Sequence, residues 1–443
     1  MKPMKIHFVG IGGIGMSGLA RFFKANGWTV AGSDAVRSTT TDALKREGIK
    51  IFIGHKSANV SRDTGLVIYN RAIPPNNPEL IAAKRLNVLT LPYAQVLGGI
   101  TDDYQTIAIT GSHGKSTTTA LAALALMKGG FDPTVLIGTN MKEFGGKNIR
   151  IGKSPYLVLE ADDFGGAFLE YSPTIAVVTN IDREHLDYYK GFEGLKNAFL
   201  QFLARTTPGG TLILNRDDKI LYSLRARITK LAEARRLHSI WYSLRDRSTK
   251  RIKTILKIPG THNVSNATAV VKLGGVLGIP EKIMLAALGS YGGAWRRMEY
   301  RGTFHGAPVF DDYAHHPTEI RATLQAFREK YPKKTIVCVF QPHQAKRLKL
   351  LFKEFTTAFK DANEVIILPL YKVKGRDEKP GRFDSRELAK AVAKRSSRQF
   401  VGYLEDPKHL VRTLNELPGP LSGKVIVMMG AGDIVNLTDF LVK

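Results

Sequence analysis

Thr106-Ile107-Ala108-Ile109-Thr110-Gly111-Ser112-His113-Gly114-Lys115-Ser116-Thr117 joins a short apolar run to an Ala- and Leu-rich one, Thr118 through Met127. The first run reads as a buried strand and the second as a helix. Glycines between them let backbone N–H groups close around an anion, and the helix N-terminus adds partial positive charge. The full phosphate-loop pattern asks for a glycine where Ile109 stands, so this is the shortened Gly-x-x-Gly-Lys-Ser form. Between strand and helix it reads as a nucleotide site rather than a structural glycine turn. Gly111, Ser112, His113, Gly114, Lys115, Ser116 and Thr117 would cradle ATP, with Lys115 on the outer phosphates and Ser116 on Mg²⁺.

Working outward, the same strand–loop–helix grammar recurs on both sides. Lys5-Ile6-His7-Phe8-Val9 feeds Gly10-Ile11-Gly12-Gly13-Ile14-Gly15, a helix-like run follows from Met16 to Asn26, and Thr29 to Gly32 reads as the next strand. Gly10-x-Gly12-x-x-Gly15 with Asp34 nineteen residues beyond it matches a dinucleotide fingerprint. Asp34 would accept a hydrogen bond from a ribose or base. NAD and another nucleotide diphosphate fit the loop equally, with a purely structural turn as a third reading. Two phosphate loops on one chain favour one nucleotide as energy source and the other as a handle on the substrate.

Downstream, Tyr156 to Leu159 is an apolar run ending in Glu160-Ala161-Asp162-Asp163, and Ile175 to Thr179 ends in Asn180. Carboxylates at the carboxyl ends of parallel strands sit in the crevice where open α/β sheets bind ligands, and Glu160 can hold Mg²⁺ there. Asp182-x-x-His185-x-Asp187 follows; beside Glu160 a metal or water role for His185 competes with that of an ordinary loop histidine. His262-Asn263-Val264-Ser265-Asn266 opens a helix, its polar groups serving as caps or as a ligand-facing row. Arg296-Arg297 after Gly292-Gly293 is either a solvated pair or a cation reaching ATP. Asp311-Asp312-Tyr313-Ala314-His315-His316-Pro317 and Gln341-Pro342-His343 with Lys346 and Arg347 crowd two further strand tips, at the ends of Pro308 to Phe310 and Thr335 to Phe340. Glu364 to Leu368, Gln399 to Tyr403 and Lys424 to Met429 complete the pattern.

Strands alternating with helices give an α/β class of mostly parallel sheets. At 443 residues, with domains of about 100–200 residues, more than one domain is expected, and the divisions fall at 1–101, 102–295 and 296–443. A hydrophobic share of 43% suits globular cores. No apolar stretch approaches the ~20 residues of a membrane span. Glycines break the apolar segment behind Lys2 and Lys5, which makes a poor signal-peptide core. One cysteine, Cys338, can form no internal disulfide, and a reducing cytoplasm fits. The balance of 65 basic to 39 acidic residues, +26, suits anionic partners. Its densest block, Arg216 to Lys257, reads as a solvated face in preference to a nucleic-acid site, with Trp241 and Tyr242 fitting a short strand.

Together these motifs resemble the Mur ligase family of peptidoglycan synthesis. The residues carrying the resemblance run from Phe8 to Gly18, Thr110 to Thr117, Glu160 to Asp162, Thr179 to Ile181, His185 to Asp187, Pro259 to Asn263, Asp311 to Glu319 and Phe340 to His343, in the family's order over nearly the whole chain. The resemblance implies three domains: Rossmann-like for a UDP-sugar, phosphate-loop ATPase-like in the centre, and Rossmann-like for the incoming amino acid and closure on ATP. It implies ATP-dependent joining of L-alanine to UDP-N-acetylmuramate through an acyl phosphate. Lys115, Glu160, His185 and His315 form the implied catalytic set, with Ser116, Glu160 and His185 on Mg²⁺. Asn263, Asn266, Arg297 and Asp312 would grip the nucleotide. Gly12, Gly13, Ile14, Gly15 and Asp34 would contact the UDP-sugar, and Tyr313, His343 and Arg347 the substrate side of the third domain.

Three departures stand out. Many relatives show Ser-Ser-Ala-Ile in the loop that reaches the uracil, where this chain has Asn70-Arg71-Ala72-Ile73. The stretch from Asp217 to Pro259 looks short and basic. Asp162-Asp163-Phe164 replaces the more usual Asp-Glu-Ser. Rivals are a ligase adding a preformed murein tripeptide to the same sugar nucleotide, an NAD-dependent oxidoreductase, and a nucleic-acid-binding ATPase. The oxidoreductase leaves Lys115, Glu160 and His185 without work. Nothing in the sequence speaks to oligomeric state.

Overall fold

A computed structural model describes residues 5–186, 188–372, 383–395 and 400–442. Lys2, Asp187 and Gln399 of the sequence reading lie outside them. Three sheets carry the fold. The first contains β1 (Lys5–Val9), β2 (Thr29–Asp34), β3 (Lys50–Ile53), β4 (Thr64–Tyr69) and β5 (Leu89–Pro92), all parallel, in the order β3-β2-β1-β4-β5. Strand order reverses between β1 and β4, so the glycine loop after β1 opens at the switch point where such sheets take their ligands.

The second sheet holds β6 (Gln105–Thr110), β7 (Thr134–Met141), β8 (Lys147–Arg150), β9 (Tyr156–Glu160), β10 (Ile175–Val178), β11 (Thr211–Asn215) and β12 (His238–Tyr242). Its order is β12-β11-β10-β6-β9-β7-β8, parallel except for β8 against β7. β6 runs between β9 and β10, which puts the phosphate loop, Glu160 and Asn180 at adjacent strand tips. Both faces of β6 are covered, which is why it reads as a continuous apolar run instead of alternating. Helix Phe192–Ala204 covers the sheet with Leu195, Ala198, Phe199, Phe202 and Leu203, an i, i+3, i+4, i+7, i+8 stripe. The basic block folds as helix Arg225–Arg235, β12 and helix Ser248–Ile255, with Trp241 and Tyr242 in the strand. Arg225, Arg227 and Lys230 are exposed.

The third sheet, β13 (Glu299–Phe304), β14 (Ala307–Asp312), β15 (Thr335–Phe340), β16 (Glu364–Ile367), β17 (Phe400–Tyr403) and β18 (Lys424–Met429), is ordered β13-β14-β18-β15-β16-β17. β13 pairs antiparallel with β14, and the other pairings among the described residues are parallel. Along β15 the side chains divide by strand period: Ile336, Cys338 and Phe340 enter one core, Val337 and Val339 the other.

The chain separates into two compact units, one running to Ile255 with Ser265–Tyr291, the other Leu256–Val264 with the chain from Gly292 on. The first two sheets belong to the former and share an apolar core that includes Phe8, Leu19, Leu136, Phe168 and Phe199. Among the described residues no helix is long and apolar enough to cross a membrane.

Elements differ from the sequence expectation chiefly where loops become helix. The phosphate-loop helix spans Lys115–Lys128, starting three residues before Thr118, because the anion-binding loop runs straight into the first turn. The first helix spans Ile14–Ala25 for the same reason. The strands β3, β4, β5, β7 and β11 and the antiparallel partners β8 and β13 add to those the sequence picks out; β8 has only four residues, and neither it nor β13 shows clean apolar alternation.

Beneath the first glycine loop lies a buried carboxylate. Glu79, in the first turn of helix Pro78–Arg85, accepts Ser33 Oγ at 2.5 Å, Asn59 Nδ2 and the Lys56 amide, and faces the His7 and His55 rings at 3.4 Å each. Burial pushes its pKa up, but hydrogen bonds from His7, Ser33 and Asn59 outweigh burial and hold it at about 2. A depressed carboxylate stabilises the fold above its unfolded pKa and loses that contribution as pH falls through the folded one. Glu79→Gln is therefore expected to cost roughly 1.5–3 kcal/mol at neutral pH. The gap to wild type should close as pH drops from about 4.5 towards 2, read by urea unfolding at a series of pH values.

Candidate active site

The phosphate loop is braced from β10. Thr179 Oγ1 donates to the His113 carbonyl at 2.6 Å, Asn180 Nδ2 to the same oxygen at 2.9 Å, and the His113 amide to Asn180 Oδ1 at 2.9 Å. The Ser112 amide donates to the Asn180 carbonyl at 3.1 Å, and the Asp182 amide to Ser112 Oγ at 2.7 Å. His113 Nε2 lies 2.9 Å from Asp182 Oδ2. Gly111 has φ +138°, and a Cβ there would fall 2.0 Å from Thr179 Oγ1. A side chain on Gly114 would strike Asn266 Oδ1 at 2.6 Å, so Asn266 lies directly against the loop.

Lys115 Nζ donates to the Gly111 carbonyl and to Asp163 Oδ1, both at 2.8 Å, with Asp162 at 3.9 Å. Burial disfavours the ammonium, yet Asp163 and Asp162 more than compensate and raise it above the ordinary lysine range. Ser116 Oγ donates to Glu160 Oε1 at 2.9 Å, and the Gly138 amide to Glu160 Oε2 at 2.7 Å. A hydroxyl and a carboxylate at hydrogen-bond distance form a hard oxygen set of the kind Mg²⁺ takes. His185 has φ +54° and sets its ring edge-on to Phe164, centroids 4.9 Å apart, with Glu184 Oε2 3.9 Å from Nε2. Tyr189 Oη donates to the Asp163 carbonyl, which ties this loop to the one carrying Lys115's partner.

In the first sheet's loop, Gly12 donates its amide to Asp34 Oδ2 at 2.9 Å, and Val36 to Asp34 Oδ1 at 3.3 Å. Asp34 thus orients the glycine loop itself. Gly13 precedes the helix beginning at Ile14, and Gly15 faces the Tyr93 hydroxyl.

In the second unit, a separate polar cluster forms at the tips of β14, β15 and β16. The rings of Tyr313 and His315 lie 5.3 Å apart, those of His315 and His343 6.0 Å. His343 stacks on Tyr371 at 5.5 Å and 10°, and Arg347 Nη1 is 3.5 Å from His343 Nδ1. His315 Nδ1 lies 2.9 Å from the Tyr313 carbonyl and 3.5 Å from Glu319 Oε2. Asp312 is occupied locally: Oδ2 accepts the Met298 amide, and Oδ1 the Ala314 amide and Thr323 Oγ1, at 2.9–3.1 Å. Burial raises its pKa, and Arg297 opposes that. Arg297 lies over the Tyr313 ring at 5.1 Å, and Asn263 Nδ2 donates to the Pro259 carbonyl at 2.7 Å.

The structure therefore gathers Gly111 to Thr117, Glu160 and Asn266 around one loop, and His315, Tyr313, His343 and Arg347 at one strand-tip cluster. Asn263 and Asp312 hold their own turns. Asp163, Thr179, Asn180 and Tyr371 carry contacts that the sequence reading gave no role. A polar residue at a strand tip was the available signal for the first three; Tyr371, past the end of β16, offered none.

Comparison with known proteins accords with this architecture. Residues 5–105 match the Mur ligase family, catalytic domain; 109–274 the Mur ligase middle domain; and 296–432 the Mur ligase, glutamate ligase domain. A curated UDP-N-acetylmuramate–L-alanine ligase from Acetivibrio thermocellus is 40% identical, covering 100% of this chain and 96% of the relative. The crystal structure of a UDP-N-acetylmuramate-alanine ligase from Thermotoga maritima superposes with TM-score 0.81 at 27% identity, over 99% and 98% of the two chains. A murein peptide ligase from Psychrobacter arcticus shares the fold at TM-score 0.69 and 20% identity, over 99% and 98%.

Proposed function

We propose that this chain, which belongs to the Mur ligase family, joins L-alanine to the carboxylate of UDP-N-acetylmuramate at the expense of ATP. One observation carries the reading: the end-to-end likeness, at 40% identity, to a relative named for that reaction. A cytoplasmic setting goes with these substrates. The proposed division of labour is 1–101 for the UDP-sugar, 102–295 for ATP, and 296–443 for the amino acid.

A carboxylate is a poor acyl donor until its oxygen carries a good leaving group. In the proposed path a muramate carboxylate oxygen attacks the γ-phosphorus of ATP, the bond to the β-phosphate oxygen breaks, and ADP departs. The alanine nitrogen, having lost a proton, then attacks the acyl carbon and orthophosphate leaves. Lys115 would turn from Asp163 to the transferring phosphoryl group and stabilise the charge that develops there. Ser116 and Glu160 would hold Mg²⁺, with His185 assigned to the same ion; the ion supplies neutralisation of phosphate oxygens when bound. His315 is proposed as the acceptor of the ammonium proton, with His343, Arg347 and Tyr313 lining the alanine side.

The test is ADP release with UDP-N-acetylmuramate while single amino acids are exchanged. Turnover with alanine, and little with glycine, serine or the murein tripeptide, is expected. With the muramate carboxylate labelled by oxygen-18, one labelled oxygen should appear in orthophosphate. ADP release that ignores the sugar nucleotide, or unlabelled phosphate, would refute the reading.

A further inference from the structure

We propose that Arg71 binds an anionic oxygen of the sugar-nucleotide substrate, giving up the Gly165 carbonyl and the Tyr188 hydroxyl to do so. The inference rests on the proposed reaction for the identity of that substrate. Arg71 follows β4, and its neighbour Asn70 lies against the glycine loop: a methyl placed on Gly13 would come 3.7 Å from Asn70 Nδ2, and one on Gly10 3.8 Å from Asn70 Cβ. From there the Arg71 side chain crosses to the second sheet of the same compact unit. Its Nη1 donates to the Gly165 carbonyl and, at 3.0 Å, to Tyr188 Oη, with the guanidinium 5.7 Å from the Tyr188 ring.

Two properties of this bridge point to a ligand. The first is position: Arg71 connects the glycine loop to the segment carrying Asp163, the partner of Lys115, so a sugar diphosphate spanning the two loops passes it. The second is chemistry. Among the described residues both hydrogen-bond partners of Arg71 are neutral oxygens, whereas a guanidinium binds carboxylate and phosphate more strongly and in matching fork geometry. Arg71 is also exposed, so the exchange requires no unpacking. The Gly165 carbonyl that Arg71 would release lies two residues from Asp163, the partner of Lys115.

The experiment measures binding of UDP-N-acetylmuramate and of UDP-N-acetylglucosamine, which lacks the lactyl carboxylate, by titration calorimetry without ATP or alanine. Arg71→Ser supplies the residue that relatives are expected to carry, Arg71→Lys keeps the charge, and Tyr188→Phe removes a resting partner while sparing Arg71. Arg71→Ser should weaken muramate binding by about tenfold or more, with Arg71→Lys intermediate. Weakening confined to the muramate compound assigns the contact to its carboxylate, and equal weakening of both assigns it to the diphosphate. Tyr188→Phe should leave affinity unchanged or improve it, since the arginine is released. The proposal is overturned if Arg71→Ser binds both compounds like wild type, or if Tyr188→Phe weakens binding as much as Arg71→Ser, which would mark a structural strut. Since binding is read without turnover, a failure of the proposed ligation leaves this comparison interpretable.

Discussion

Lys115→Ala is expected to lower kcat by at least about 10²–10³-fold, the loss typical when one donor to developing transition-state charge is removed. UDP-sugar affinity should stay near wild type, because the glycine loop after β1 is a separate structure. Stability should also fall. Asp163 is fully buried, its Oδ1 is held by Lys115 at 2.8 Å, and among the described residues its Oδ2 has no hydrogen-bond partner. Stripping the cation leaves an uncompensated buried carboxylate, which costs roughly 3–5 kcal/mol. The double change Lys115→Ala with Asp163→Asn should recover most of the melting temperature and none of the activity. If the double variant were no more stable than the single one, the pairing would not carry the energy assigned to it.

The second large effect is expected at Gly111→Ala. At φ +138° an L side chain is strained whatever the space, and its Cβ would sit 2.0 Å from Thr179 Oγ1 and 3.0 Å from the Asn180 amide nitrogen. Relief requires the loop to withdraw from β10, and the bracket that Thr179 and Asn180 place on His113 opens. Strain of this kind costs about 1–3 kcal/mol, and forced overpacking a similar amount. Loss of nucleotide binding is the expected outcome, with Kd for ATP rising by 100-fold or more because several loop amides lose their aim together. Calorimetric titration with ATP and, separately, with the sugar nucleotide checks it. Unchanged ATP affinity would mean that the loop tolerates a different backbone than the one described.

Much of this molecule is legible in its sequence. β1, β15 and β18 fall where their apolar runs end, because a strand covered on both faces leaves no ambiguity of period, and the phosphate loop is announced by glycines beside a lysine and a serine. Pro317 opens its helix as its missing N–H allows. What stayed hidden depends on pairing across the chain. Asp162-Asp163-Phe164 was visible as a departure from the family pattern, but only the fold shows that Asp163 neutralises Lys115. Asn70-Arg71 was likewise visible as an oddity, and its reach to Gly165 crosses 94 residues of sequence. Asp312, given a nucleotide role only by the family resemblance, is seen in the fold to accept three local donors. Asp34, read as a ribose or base contact, spends one oxygen on the Gly12 amide.

Cys338, the chain's single cysteine, is sealed at mid-strand in β15, and burial pushes its thiol well above the ordinary range. Maleimide dyes added to the folded molecule therefore find no native thiolate to attack. Each cysteine engineered at a surface position becomes a unique attachment point without prior removal of a natural one. Paired fluorophores placed this way would turn the chain into a ready reporter for timing its own catalytic cycle.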